Sequence, residues 1–194
     1  MLDLLIKGGT VVDGTGSPGR VADVGVRDGR IVAVGDVTED ATETVDATGL
    51  VVCPGFVDPH THYDAQLFWD KRATPSNLFG VTSMVAGNCG FSLAPLGDEA
   101  DGDYLKRMMV KVEGMALEAL DQGVPWNWHT FGEYLDAVED GGLAVNVGFL
   151  VGHCALRRVV MKDSSVGELA TDEQIAEMRR LLKESIEAGG MGFS

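Results

Sequence analysis

After about residue 55 the chain alternates β-branched apolar runs with amphipathic helical stretches, and this alternation restricts its fold more than any other feature. Residues 81–86 (VTSMVA) and 144–151 (AVNVGFLV) are strand-length, mostly apolar runs, the pattern of strands buried on both faces. An earlier run at 50–57 is interrupted by Pro54-Gly55. Between these runs one helix is predicted over about 103–121, with Leu105, Met108, Met109, Val112, Ala116 and Leu120 as its apolar stripe. Thr130-Phe131-Gly132-Glu133 reads as a capping box that opens a second helix, which Gly141-Gly142 stops. Thr171 to Gln174 opens a third, stopped by Gly189-Gly190. Strands alternating with helices imply a parallel sheet or barrel. The first 55 residues lack helical periodicity. Asp28-Gly29 between two apolar runs is a hairpin signal, and this stretch reads as a small antiparallel β unit.

Charge and cysteine usage narrow the function classes. Fifteen basic against thirty acidic residues leave a net charge of −15, a field that repels phosphate backbones and anionic lipid, so neither nucleic acid nor membrane is expected as a partner. No apolar stretch approaches the ~18–20 residues of a membrane span. The first residues have no basic segment before their apolar run, as a secretory signal would. Three cysteines form a sparse, odd set that fits a reducing compartment, and a cytoplasmic location is expected.

The chemistry gathers at the ends of the strands. Asp58-Pro59-His60-Thr61-His62 follows the first apolar run, and in a continuing strand His60 and His62 project to one side. Two imidazoles at the C-terminal end of a strand suit metal chelation, and active sites of parallel α/β folds lie at that end. The plain alternative is a pair of surface histidines. The next strand runs into Gly87-Asn88-Cys89-Gly90, where small neighbours leave the sulfur accessible. Cys89 suits a zinc ligand, but a turn-packing thiol and a nucleophile are the alternatives, and a nucleophile needs a base. The third strand ends in Gly152-His153-Cys154, where His153 is a candidate site-lining residue and Cys154 a packing one. Cys53 reads as core and His129 as structural. Glu113 reads as a solvated helix position, and the acidic run from Asp98 to Asp103 as an exposed loop.

Several of these segments occur together in a known pattern. Val12-Asp13-Gly14-Thr15-Gly16, Gly29 to Gly35, Asp46-Ala47-Thr48-Gly49 and Pro54-Gly55-Phe56-Val57-Asp58 leading into His-x-His resemble the opening of the amidohydrolase superfamily. Gly87-Asn88-Cys89-Gly90-Phe91-Ser92, Val151-Gly152-His153 and Ala188 to Ser194 resemble its N-acyl-D-amino-acid deacylase (D-aminoacylase) group. The resemblance implies a metal-dependent hydrolase (β/α)8 barrel, with about four βα units here, beside a small antiparallel β-sandwich subdomain. Residues 1–55 would form the incomplete sandwich and 56–194 the first half of the barrel. It makes Cys89 a ligand of a tight Zn2+ site, His60 and His62 ligands of a second, weaker site, and His153 a substrate-facing residue. The implied reaction is hydrolysis of a small N-acyl amino acid by metal-activated water, with a barrel Asp shuttling the proton.

That Asp and two further ligating histidines belong to later barrel strands in the group. No histidine follows His153, and the about 140 residues after the β unit compare with ~250 for a whole barrel. The chain is therefore expected to be the N-terminal portion of a longer enzyme, inactive alone and aggregation-prone, with the remainder of its own polypeptide as its partner. The alternatives are an amidohydrolase acting on a cyclic amide or other substrate, a non-catalytic protein on the same scaffold, and a cysteine-nucleophile hydrolase.

Overall fold

The computed structural model describes all 194 residues, which form two compact units, Met1–Gly55 and Phe56–Ser194. The first holds β1 (Leu2–Val11), β2 (Arg20–Arg27), β3 (Arg30–Gly35), β4 (Ala41–Asp46) and β5 (Val51–Val52) in one sheet of order β3-β2-β1-β4, with β5 also on β1. Asp28 and Gly29 turn the β2–β3 hairpin with φ of 52° and 69°, the two left-handed positions that this dipeptide tolerates. The β1–β2 and β2–β3 pairs are antiparallel, as expected.

The sheet is nonetheless mixed. β4 and β5 lie end to end along β1, both parallel to it. The chain after β3 returns to the starting end of β1, where the Leu2 amide donates to the Asp40 carbonyl. Val11, Ala22 and Val24 form the small buried cluster of this unit, with Ile6 and Val52 against it. Cys53, expected in the core, is exposed, because β5 ends one residue before it.

The second unit runs β6 (Phe56–Asp58), β7 (Val81–Ala86), α1 (Glu99–Glu113), α2 (Leu117–Gly123), α3 (Phe131–Glu139), β8 (Asn146–Val151), α4 (His153–Met161), α5 (Asp172–Glu187) and β9 (Gly192–Phe193). Its four strands are all parallel, in the order β6-β7-β8-β9, a half-barrel of parallel strands. Both capping boxes are present: Thr130 with Glu133 on α3, and Thr171 with Gln174 on α5. The single helix expected over 103–121 is two helices. α1 starts earlier, capped by the Asp98 side chain, and Gly114 in the left-handed region (φ 67°) breaks the run before α2.

The acidic run at 98–103 is likewise part of α1 rather than an exposed loop. Asp101 is fully buried and accepts from Arg158 Nε at 2.8 Å and Lys162 Nζ at 2.6 Å, tying α1 to α4 and the turn after it. The two basic partners offset the cost of burying this side chain.

The core beneath the strand ends is aromatic. Tyr134 of α3 is fully buried, with Phe68, Trp128, Phe131 and Phe149 at ring-centroid distances of 5.2–6.0 Å. Its hydroxyl donates to the Asp64 carbonyl at 3.1 Å, so the α3 face of the core fixes the segment that follows β6. No helix is long and apolar enough to cross a membrane.

Candidate metal centre

β6 stops at Asp58, so His60 and His62 lie beyond the strand rather than on it. The chain stays stitched to β7 all the same. Thr61 gives its amide and its hydroxyl to the Val85 carbonyl, at 2.9 and 2.8 Å. With Thr61 turned into the neighbouring strand and buried, the flanking His60 and His62 share the other side, their ring centroids 5.5 Å apart.

Cys89 reaches the same place from the end of β7. Gly87 leaves the strand in the left-handed region (φ 77°) and Cys89 follows it there at φ 57°. A side chain on Gly87 is excluded, because its Cβ would stand 2.1 Å from the Leu150 carbonyl oxygen of β8. Asn88 then locks the turn. Its amide nitrogen donates to the carbonyls of Thr61 (3.2 Å) and Val85 (2.9 Å), binding the cysteine turn to the histidine segment. The result is a cluster in which His60 Nε2 stands 3.2 Å from Cys89 Sγ, and the donor atoms of His60, His62 and Cys89 all lie within 4.8 Å of one another.

These separations fit a metal. Donors in a tetrahedral zinc site with Zn–N of 2.0–2.1 Å and Zn–S of 2.3 Å lie about 3.3–3.6 Å apart, within the spread found here. Two imidazoles with a thiolate also form a donor set that zinc accepts readily. His153 does not join them. It is the first residue of α4, a helix that the sequence did not announce, and its ring packs edge-on to Phe193 at 5.8 Å. Burial, and then Arg157, hold its imidazole below the usual range, so it is neutral at pH 7. Cys154 is half-buried with its thiol pushed up by burial, and exposed His129 stands apart from the cluster.

Two carboxyl groups near the cluster were not anticipated as part of it. Glu113 was expected in solvent; its side chain is only 18% exposed and its Oε1 stands 3.4 Å from His62 Nδ1. Asp64 is fully buried, with Oδ2 accepting the Gly87 amide at 3.1 Å and Oδ1 without a partner. Burial pushes its carboxyl up to about 7, and Glu113 adds to the effect.

A folded-state value raised from 3.8 means that the folded chain holds this proton longer than the unfolded chain. The contribution of Asp64 is therefore full below about pH 4 and lost as pH rises through about 7. In chelator-treated protein, Asp64→Asn is expected to raise stability at pH 8 by on the order of 2 kcal/mol relative to its effect at pH 4.5. Urea midpoints of both proteins at the two pH values check this; parallel pH profiles would reject it.

The chain as a whole is similar to known proteins. The chain is 45% identical over 193 residues to a D-aminoacylase of Alcaligenes xylosoxydans xylosoxydans, covering 99% of this chain and 37% of the relative. An N-acyl-D-aspartate deacylase of the same organism is 41% identical over 193 residues, with 99% and 36% covered. The chain thus spans a little more than a third of the length of these curated relatives. Among solved structures, a crystal structure of D-aminoacylase superposes with a TM-score of 0.83 at 40% identity, covering all of this chain and 38% of that one. The N-acyl-D-glutamate deacylase of Bordetella bronchiseptica, complexed with zinc and a phosphonate inhibitor, gives 0.76 at 34% identity, covering 99% of this chain and 38% of that one. Residues 43–194 match the Amidohydrolase family, and the chain belongs to it.

Proposed function

We propose that His60, His62 and Cys89 hold zinc in an enzyme that hydrolyses non-peptide amide bonds, with N-acyl-D-amino acids as its substrates. The observation that supports this most is the convergence of three metal-competent donors from two neighbouring strand ends. The similarity to a D-aminoacylase and to deacylases of N-acyl-D-aspartate and N-acyl-D-glutamate, the last complexed with zinc, supports the substrate class and the metal. Bound zinc supplies a Lewis acid that polarises an acyl carbonyl and lowers the pKa of water.

The residues of this chain prepare that chemistry. Asn88 and Thr61 set the spacing between the two donor segments, and Gly87 gives Cys89 its direction. His153, neutral at pH 7, offers the substrate a hydrogen-bonding group without a charge. The resemblance assigns Cys89 to the tight zinc site and the histidines to a second, weaker one. The proton-shuttling Asp is assigned to polypeptide outside these 194 residues. The remainder of that polypeptide is the partner, and a cytoplasmic location accords with three free cysteines. In this reading the N-terminal sheet is one layer of a small sandwich, which accords with exposed Val21, Ile31 and Val51 on it.

A second reading rests on the same geometry. His60 Nε2 at 3.2 Å from Cys89 Sγ is also the spacing of a cysteine nucleophile and its base. Offering the product of the full reading frame N-acetyl-D-amino acids, their L-enantiomers and a cyclic amide separates the readings. Release of free D-amino acid that stops with a chelator and returns with Zn2+ is expected. Hydrolysis indifferent to chelator but stopped by thiol alkylation would favour the nucleophile, and stoichiometric zinc without hydrolysis would favour a non-catalytic protein.

A further inference from the structure

The surroundings of Glu113 are unusual for a carboxylate in three respects. It is the last residue of α1, where the helix dipole already concentrates negative charge. Its side chain is 18% exposed, so water screens it poorly. It also lies close enough to the buried Asp64 for their charges to oppose each other. The ion-pairing partner of this group is the His62 ring, with Nδ1 at 3.4 Å from Oε1.

His62 supplies the matching irregularity. Its Nδ1 is buried and makes no hydrogen bond, with Glu113 Oε1 at 3.4 Å and short of good alignment. Glu113 is not among the residues whose donor atoms gather within 4.8 Å of one another, and its carboxylate stands against Nδ1 of the His62 ring. We propose that Glu113 is a positioning residue, which accepts a hydrogen bond from His62 Nδ1–H and so fixes the tautomer whose Nε2 is the metal donor. The inference rests on the metal-centre reading above and deepens it. The physical ground is that an imidazole ligand must present a lone pair on one nitrogen, and a carboxylate behind the other nitrogen selects that form and raises the basicity of the donor.

The test compares Glu113→Ala and Glu113→Gln with the unaltered protein and with Cys89→Ala, using Zn2+ alone as the probe in competition with a chromophoric chelator. Glu113→Ala is expected to weaken zinc binding by about 10–100-fold, and Glu113→Gln, which keeps an acceptor oxygen, by less. In chelator-treated protein the urea midpoint of both variants should be unchanged or higher, because an unfavourable charge has gone. A merely structural role would lower it. The 15N shifts of the His62 ring in metal-free protein give an independent readout. They should report Nδ1–H in the unaltered chain and a shift toward the Nε2–H form in Glu113→Ala.

If Cys89→Ala weakens zinc and Glu113→Ala does not, the positioning role is wrong and the metal centre stands. If Cys89→Ala leaves zinc binding unchanged, the metal-centre reading fails and takes this inference with it.

Discussion

Cys89→Ala is expected to weaken Zn2+ binding by about two to three orders of magnitude while leaving the fold intact. Structural zinc sites bind with apparent free energies of about 10–16 kcal/mol over four ligands, so one thiolate accounts for roughly 2.5–4 kcal/mol. Alanine offers no donor, and the two imidazoles that remain cannot close a tetrahedral site. The fold should survive because the residue is exposed and because alanine at φ 57° carries the same backbone strain as cysteine. Chelator competition measures the first effect and thermal melting the second. Cys53→Ala and Cys154→Ala are the controls: neither thiol is in the cluster, so both should bind zinc as before. Equal losses in all three variants would mean that cysteine removal perturbs the chain generally and that Cys89 has no special part.

Gly87→Ala should be the most damaging single methyl addition near the site, with an expected loss of roughly 2–5 kcal/mol. About 1–2 kcal/mol comes from forcing an L-residue into the left-handed region, where Gly87 stands at φ 77°. A further 1–3 kcal/mol comes from overpacking, since the new Cβ would lie 2.1 Å from the Leu150 carbonyl oxygen and 3.0 Å from that residue's nitrogen and carbonyl carbon. Those atoms are backbone of a paired strand, so no rotamer change relieves the overlap. Gly114→Ala separates the two causes. Gly114 has φ 67° with nothing within 4 Å of a built Cβ, so it carries the backbone cost alone, about 1–2 kcal/mol. Urea midpoints decide between them. Equal losses at the two positions would show that the contact with β8 costs nothing.

Much of the second unit was legible in its sequence, for reasons that are local. The apolar runs ending at Ala86 and Val151 are parallel strands, as their composition announces, although within β7 and β8 only Met84, Ala86, Phe149 and Val151 are buried. Thr130 and Thr171 cap helices through hydrogen bonds spanning three residues, which a short window contains. His60, His62 and Cys89 were visible as candidates because each lies within a few residues of the end of an apolar run.

What escaped depends on contacts between distant residues. Asp101 looked like one more exposed acid, yet it is buried by Arg158 and Lys162 from far along the chain. Glu113 gave a faint signal, an acid in the last turn before a glycine, and its contact with His62 crosses fifty residues. The helix of His153 was masked because its N-cap is Gly152, with no side chain to mark it. The parallel course of β4 and β5 along β1 is set by where the chain returns, which alternation of residue types does not encode.

The order β6-β7-β8-β9 has a consequence for how the molecule is made. Each strand pairs with the one synthesised just before it, so during translation the sheet grows by addition at one edge and no strand has to be inserted between two others. Sequential addition of this kind suits folding from the N-terminal side as the chain emerges. His60, His62 and Cys89 all lie between residues 56 and 90, just beyond the ends of the first two strands of that series. The segments that carry the three ligand atoms are therefore made before the strands and helices that later pack against them.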